Sequence, residues 1–316
     1  MIKFIMLTES NLHFYWEAKV ACINLISLGV DPKDIIVVQT QNDNHYPLFL
    51  RDELNVNVYT YPDQRSDKAK RYPASVKPYL WIQLLQDQPQ LTQYDFFYMD
   101  TDVVFRELPD FNNLPVNANS WYGSNCEAYV GVEYLQSKGK NFIAEIAPVL
   151  QLTPQEMLAY QGQGVGAQWF LTQPTISFWK DVYQECIDLY YFTTALEPMY
   201  LKQYKIEGKV NFYFYQAWTA EMTATLFNCK KHGIEPYRST ELDFDWSTDL
   251  RLNVYPFHRK IIHNSGVTKK IARDKHLFLK NDYLDCLPWT RDLSYVNQDY
   301  VSYEYVQRVL EARKWL

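Results

Sequence analysis

The sequence predicts an α/β fold with a mainly parallel central sheet flanked by helices. Three observations carry that prediction. Apolar, β-branched or aromatic runs alternate with segments of helical spacing through the first hundred residues, the pattern of βαβ units. No linker-like segment and no internal repeat interrupts the 316 residues, so one continuous domain spanning 1–316 is expected. Hydrophobic residues make up 47% of the chain, enough for a sizeable core at this length.

The elements follow in order. Ile2–Leu7 is an apolar run that reads as the first strand; it gives way to polar sequence too soon for a signal peptide. Asn11–Leu28 places apolar residues at helical spacing, Ile35–Thr40 is β-branched, and Val56–Tyr61 alternates. Ser75–Gln86 is again helical, and Asp95–Met99 is a short aromatic strand. The pattern loosens after Asp102. Phe111–Cys126, rich in Asn, Pro and Ser, reads as loop; Thr153–Tyr160 reads as a short helix behind a Thr-Pro cap, and Thr175–Tyr191 as a longer amphipathic one. Asn211–Trp218 is the densest aromatic cluster and reads as a core strand, with Tyr213, Tyr215 or their neighbours available to line a cleft. Gln298–Leu316 reads as a docked final helix.

Composition narrows the function. The net charge of −6 provides no global field to attract nucleic acid or an anionic membrane. The longest charge-free stretch, Met157–Trp179, holds four Gln, three Gly and a Pro, which a bilayer core would reject, so no integral membrane segment is expected. Five dispersed cysteines (Cys22, Cys126, Cys186, Cys229 and Cys286) form no Cys-x-x-Cys pair and read as reduced core thiols of a cytoplasmic protein. The 26 Tyr, 17 Phe and 9 Trp are in excess, and such residues suit surfaces that stack on ring-shaped ligands. The loop after the first strand, Thr8-Glu9-Ser10-Asn11, lacks the glycines of a dinucleotide-binding turn, and a P-loop is absent throughout.

Two segments carry chemistry. In Tyr94–Phe105 an apolar strand ends abruptly at Asp100-Thr101-Asp102, and a second apolar run follows. Two carboxylates at i and i+2 on a strand end are able to converge on a hard divalent cation, Mn²⁺ or Mg²⁺, that keeps positions open for phosphate oxygens. A solvated turn also uses Asp-x-Asp; the flanking strand favours the metal. A second Asp-x-Asp, Asp243-Phe244-Asp245 with Asp249 nearby, shows no preceding strand and ranks behind the first. The other segment is Lys260-Ile-Ile-His263-Asn-Ser-Gly266-Val-Thr-Lys269. Here an imidazole, a glycine and a lysine follow an apolar strand, suited to a metal, to close backbone approach and to an anion respectively. Seven basic residues against one acid between Arg251 and Lys275 reinforce an anion pocket in an otherwise acidic chain.

A strand-terminal Asp-x-Asp followed much later by His-x-x-Gly-x-x-Lys resembles the GT-A-fold, nucleotide-sugar-dependent glycosyltransferases, most closely the retaining glycogenin and galactosyltransferase-like group. The resemblance implies a Rossmann-like GT-A domain in which 1–110 binds the nucleotide sugar, 111–280 forms the acceptor and catalytic half, and 281–316 is a helical tail. It implies Asp100, Asp102 and His263 as ligands of Mn²⁺ (or Mg²⁺), with Asp100, Gly266 and Lys269 at the donor diphosphate and Thr8 at the nucleoside. Arg71 and Lys77 are further candidates for base or phosphate. Glu221 is the first candidate for the reacting centre and Gln168 the second: Glu221 as general base would imply inversion, an amide or the leaving phosphate retention. Two departures stand out: Lys270-Ile271 replaces the family's Pro-Trp, and Gly164–Gln168 and Glu221-Met222 match its middle motifs only loosely. The expected activity is metal-dependent transfer of a sugar from a UDP-sugar to an acceptor hydroxyl, with retention. The acceptor stays open among glycan, lipid-linked sugar, protein and modified DNA base. Alternatives are a nucleotide-sugar hydrolase or nucleotidyltransferase, and a non-catalytic glycan-binding protein on a degenerate GT-A fold.

Overall fold

The computed structural model describes residues 1–209, 212–254 and 258–315. Asn211, where the aromatic cluster begins, and the terminal Leu316 lie outside the described residues. Among the described residues, ten strands occur in chain order: β1 Ile2–Thr8, β2 Ile35–Gln41, β3 Asn57–Pro62, β4 Asp95–Tyr98, β5 Val103–Phe105, β6 Ser120–Asn125, β7 Val165–Thr172, β8 Glu235–Arg238, β9 Phe244–Trp246 and β10 Ile261–His263. The chain divides into two compact units, Met1–Asp63 with Phe96–Leu114 and Glu241–Leu316, and Gln64–Asp95 with Pro115–Thr240. The α/β class with mainly parallel strands and flanking helices is the one observed.

In the first unit the strands run in the order β3-β2-β1-β4, with β1, β2 and β3 parallel and Thr8 opposite Gln39 at the far end of the β1–β2 ladder. Ile5–Leu7 and Ile35–Val38 are buried without a break, as expected of parallel strands covered on both faces. The helix Leu12–Ser27 begins where the Asn11 side chain accepts from the Phe14 N–H at 2.9 Å. Most of this helix is buried, Trp16, Glu17, Lys19 and Asn24 included. Phe4, Phe97, Phe105 and Phe111 form one ring cluster with centroids 5.6–6.3 Å apart, so the aromatic strand β4 contributes to core packing. The helix Val301–Ala312 realises the expected C-terminal element.

A second, three-stranded sheet of order β5-β10-β9 belongs to the same unit. β10 is antiparallel to β5 and parallel to β9, which sets His263 opposite both Val103 and Trp246. The second Asp-x-Asp, read as having no strand before it, itself runs into a short strand, β9.

The second unit has the order β7-β6-β8, with β6 antiparallel to β7 and parallel to β8. Helix Ile176–Ile206 packs on Val76–Asp87, where the Trp81 and Trp179 rings stack at 5.1 Å and 4°, and also on Ala220–Lys231. Between the last two helices the buried Glu185 accepts from Asn228 at 2.8 Å and pairs with Lys231. Burial pushes the Glu185 carboxyl above its ordinary value despite those partners.

Three boundaries differ from the sequence reading. β6 lies inside the stretch read as loop, because its register break at Gly123/Ser124 and its polar residues hide the alternation. The helix opened by Thr175 runs on past Tyr191 to Ile206, through Pro198, because Tyr200 and Tyr204 bury one turn apart. The described residues of the aromatic segment form no strand: Phe214 and Tyr215 are buried, Tyr213 is 80% exposed, and Ala217–Thr219 forms a 3₁₀ turn. No helix among the described residues is long and apolar enough to cross a membrane. All five cysteines are free, and four of them are buried.

Candidate metal centre

Asp100, Thr101 and Asp102 form the turn between β4 and β5. The position of that turn is set by β5. The Asn24 amide donates to the Phe105 carbonyl at 3.0 Å, and its carbonyl accepts the Phe105 N–H at 2.6 Å. The β5–β10 ladder then delivers His263, and one step beyond it the Asn264 N–H donates to the Asp102 carbonyl at 2.9 Å. Backbone pairing thus brings together side chains far apart in sequence.

The result is a three-residue cluster. A ligand atom from each of Asp100, Asp102 and His263 lies within 4.8 Å of the other two. His263 Nε2 is 3.2 Å from Asp102 Oδ1 and 3.7 Å from Asp100 Oδ2. Asp102 and His263 are buried and Asp100 is half-buried, so the cluster has one more open edge. The His263 ring lies parallel to Trp246 at 6.0 Å and 9°, and tilted against Phe244 at 5.1 Å, which fixes its plane. Two carboxylates and an imidazole make a donor set suited to Mn²⁺ or Mg²⁺.

Lys280, which no sequence motif marked, completes the surroundings. Its ammonium lies 2.5 Å from Asp102 Oδ2 and 3.5 Å from Glu17 Oε1. Glu17 is fully buried and also accepts from the Thr101 hydroxyl at 2.6 Å, with His13 Nε2 3.3 Å away. Burial alone would push the Asp102 carboxyl up; the Lys280 ammonium and His263 outweigh it and hold Asp102 well below the usual carboxylate range. Burial would lower Lys280, and Asp102 and Glu17 reverse that and push it up. The Tyr305 phenol, buried near the same acids, is pushed well above its ordinary value by burial and then by Glu17 and Asp102.

Gly266 has φ +79°, a left-handed backbone that favours glycine, and a Cβ there would lie 3.5 Å from the Trp246 ring. Lys269 is exposed at the start of the helix Lys269–Lys275, whose cap is Thr268. Much of the basic stretch is matched by acids: Arg251 with Glu304, Arg259 with Asp245, Lys260 with Glu241 and Lys270 with Asp274. Asp245 is buried and 2.6 Å from Arg106, and Asp249 accepts from the Trp246 N–H at 2.8 Å, so this second acidic motif secures β9. Thr8 is buried at the end of β1.

The remaining sequence candidates lie in the second unit. Glu221, buried in the first turn of the helix Ala220–Lys231, has its carboxylate 3.9 Å from Lys77 Nζ. Its backbone N–H donates to the Tyr72 hydroxyl at 2.7 Å, which itself donates to the Trp218 carbonyl at 2.9 Å. Trp218 is 61% exposed beside this clamp. Gln168 is buried on β7 with its carbonyl accepting from the Ser124 hydroxyl at 2.8 Å, so its side chain is committed inside the unit. Arg71 is exposed just after the short helix Asp67–Lys70.

No family model and no curated protein matches the chain. Among solved structures, similarity extends to the bifunctional glycosyltransferase WbbM in its apo form, at 10% identity and a TM-score of 0.45 over 99% of this chain; the alignment spans 51% of that protein. Mouse xyloside xylosyltransferase 1 matches at 11% identity and a TM-score of 0.37, covering 84% of this chain and 98% of its own. A glycosyltransferase involved in glycosylation of the major capsid of PBCV-1 matches at 12% identity and 0.37, covering 87% and 98%.

Proposed function

We propose that this protein is a metal-dependent GT-A glycosyltransferase that moves a sugar from a nucleotide donor, a UDP-sugar by the resemblance, to an acceptor hydroxyl with retention of configuration. The observation that carries the reading is the convergence of Asp100, Asp102 and His263 within 4.8 Å at a strand end. Strand-terminal carboxylates and an imidazole from a distant strand suit a cation that also binds substrate oxygen. When bound, a divalent ion neutralises the charge that develops on a departing nucleoside diphosphate.

The chain's own residues divide the remaining work. Asp100, Asp102 and His263 would hold the ion, and Trp246 keeps the imidazole plane fixed. Gly266 removes a side chain where diphosphate would approach the backbone, and Lys269 supplies a positive charge three residues on. Thr8 is assigned to the nucleoside, and Arg71 and Lys77 to base or phosphate. Glu221 is assigned to the reacting centre in preference to Gln168, whose amide is engaged by Ser124. Retention then calls for the leaving phosphate to activate the acceptor, with Glu221 stabilising the oxocarbenium-like carbon. A glycan acceptor is preferred, with the exposed Trp218 as a stacking surface for it.

The test is a screen of UDP- and GDP-sugars for Mn²⁺-dependent turnover with and without glycan acceptors. Transfer that needs Mn²⁺ and fails in Asp102→Asn supports the reading. Donor turnover indifferent to acceptor makes the protein a hydrolase, and glycan binding with no Mn²⁺-dependent UDP affinity makes it a binding protein.

A further inference from the structure

Lys280 stands out because it is a cation placed on a metal-ligand carboxylate. Its position is built. The preceding Phe278 packs on Trp16 at 6.1 Å and on Tyr305 at 5.8 Å, and its N–H donates to the buried Ser302 hydroxyl at 3.0 Å. On the other side, the Tyr283 carbonyl accepts from the Trp16 indole at 3.0 Å. Lys280 is therefore bracketed by two attachments to Trp16, one residue before Glu17 on the same helix. The ammonium lies on Asp102 Oδ2, whereas His263 faces Oδ1, so the two oxygens of one carboxylate have separate partners.

Charge points the same way. Among the described residues, the Lys280 ammonium is shared by two carboxylates, Asp102 and Glu17, beside Asp100. A buried Glu17 without its cation would be a costly uncompensated charge.

We propose that Lys280 is a positioning residue: it holds Asp102 Oδ2 and neutralises Glu17 behind it, so that Asp102 presents Oδ1 alone to the ion shared with Asp100 and His263. The inference rests on the metal reading given above. It states which oxygen binds and why the lysine is there. A lysine that merely filled the site in the ion's stead would compete with the ion, and its removal would tighten binding.

The experiment is Mn²⁺ titration of the full chain without donor, followed by the electron paramagnetic resonance signal of free Mn²⁺, with thermal melts in parallel. Lys280→Met is expected to weaken Mn²⁺ binding by about tenfold or more, the usual range for a residue that orients a metal ligand. Lys280→Gln, which keeps an N–H donor for Asp102, is expected to recover part of that loss. Binding by Lys280→Met as tight as or tighter than that of the unmodified chain overturns the proposal, with metal binding itself intact. Should Lys280→Met not fold, equal affinity of Lys280→Gln and the unmodified chain overturns it instead. An unmodified chain that binds no Mn²⁺ overturns both the metal reading and this inference.

Discussion

Asn24 binds both backbone polar groups of Phe105, its amide donating to the carbonyl at 3.0 Å and its carbonyl accepting the N–H at 2.6 Å. A side chain on a helix thus substitutes for a neighbouring strand at the edge of β5. Because β5 begins one residue after Asp102, this contact locates one side of the proposed ion site. Asn24→Ala strands two buried backbone groups, and a loss of about 2–4 kcal/mol is expected from the usual cost of an unsatisfied buried partner. Urea unfolding of the variant measures it, and Mn²⁺ affinity should fall in parallel.

Asp102→Asn is expected to lower Mn²⁺-dependent transfer roughly 100-fold or more, the scale seen when preorganised charge stabilisation is removed. Transfer assays over a Mn²⁺ series measure it. Undiminished transfer would remove Asp102 from the metal set.

Gly266→Ala places a Cβ on a backbone at φ +79°. The expected destabilisation is about 1 kcal/mol, the cost of the left-handed region for a residue with a side chain. Unfolding midpoints read it, and UDP affinity in the presence of Mn²⁺ should weaken as well.

Acid should weaken the tie between Glu304 and Arg106. Burial alone would raise the Glu304 carboxyl, but its hydrogen bond and charge contact with Arg106 lower it below its ordinary 4.5. An acid depressed in the folded state contributes stability above its unfolded value and loses it as pH falls through the folded one. The stability difference between the unmodified chain and Glu304→Gln should therefore be constant above about pH 5 and shrink below pH 4.5. Unfolding free energies at pH 3 to 7 measure it, and a difference that grows in acid contradicts the assignment.

Glu221→Gln preserves size and removes a charge 3.9 Å from Lys77. If Glu221 serves the reacting centre as proposed, kcat should fall roughly 100-fold while the melting temperature changes little. Proton NMR of the first product anomer checks retention in the same assay.

The sequence made legible whatever is written locally. β1, β2 and β4 are built on apolar, β-branched or aromatic runs, and Asn11 caps its helix through its own side chain, so each could be read without its partners. Asp100-x-Asp102 and His263 were readable as separate motifs because each follows an apolar strand. Lys280 and Glu17 were not, since a buried ion pair has no spacing rule and Phe278-Leu279-Lys280 looks like any turn entering solvent. β6 escaped because Ser120-Trp-Tyr-Gly-Ser-Asn125 carries a register break and turn-forming residues, so its pairing with β7 and β8 rather than its composition makes it a strand. The aromatic segment misled in the opposite sense: ring content suggested a strand, while Phe214 and Tyr215 bury from an irregular backbone against Phe142.

The β5–β10 ladder has a temporal consequence. Its two strands lie farther apart in sequence than those of the β1–β2, β2–β3 and β9–β10 ladders, and the entropy of that closure must be met before any local reward arrives. Late assembly of the site during folding is the expected consequence. A chain released before β10 is made would hold Asp100 and Asp102 without their imidazole, so on the proposed metal reading ion capture would report the finished unit and draw its folding to completion by mass action.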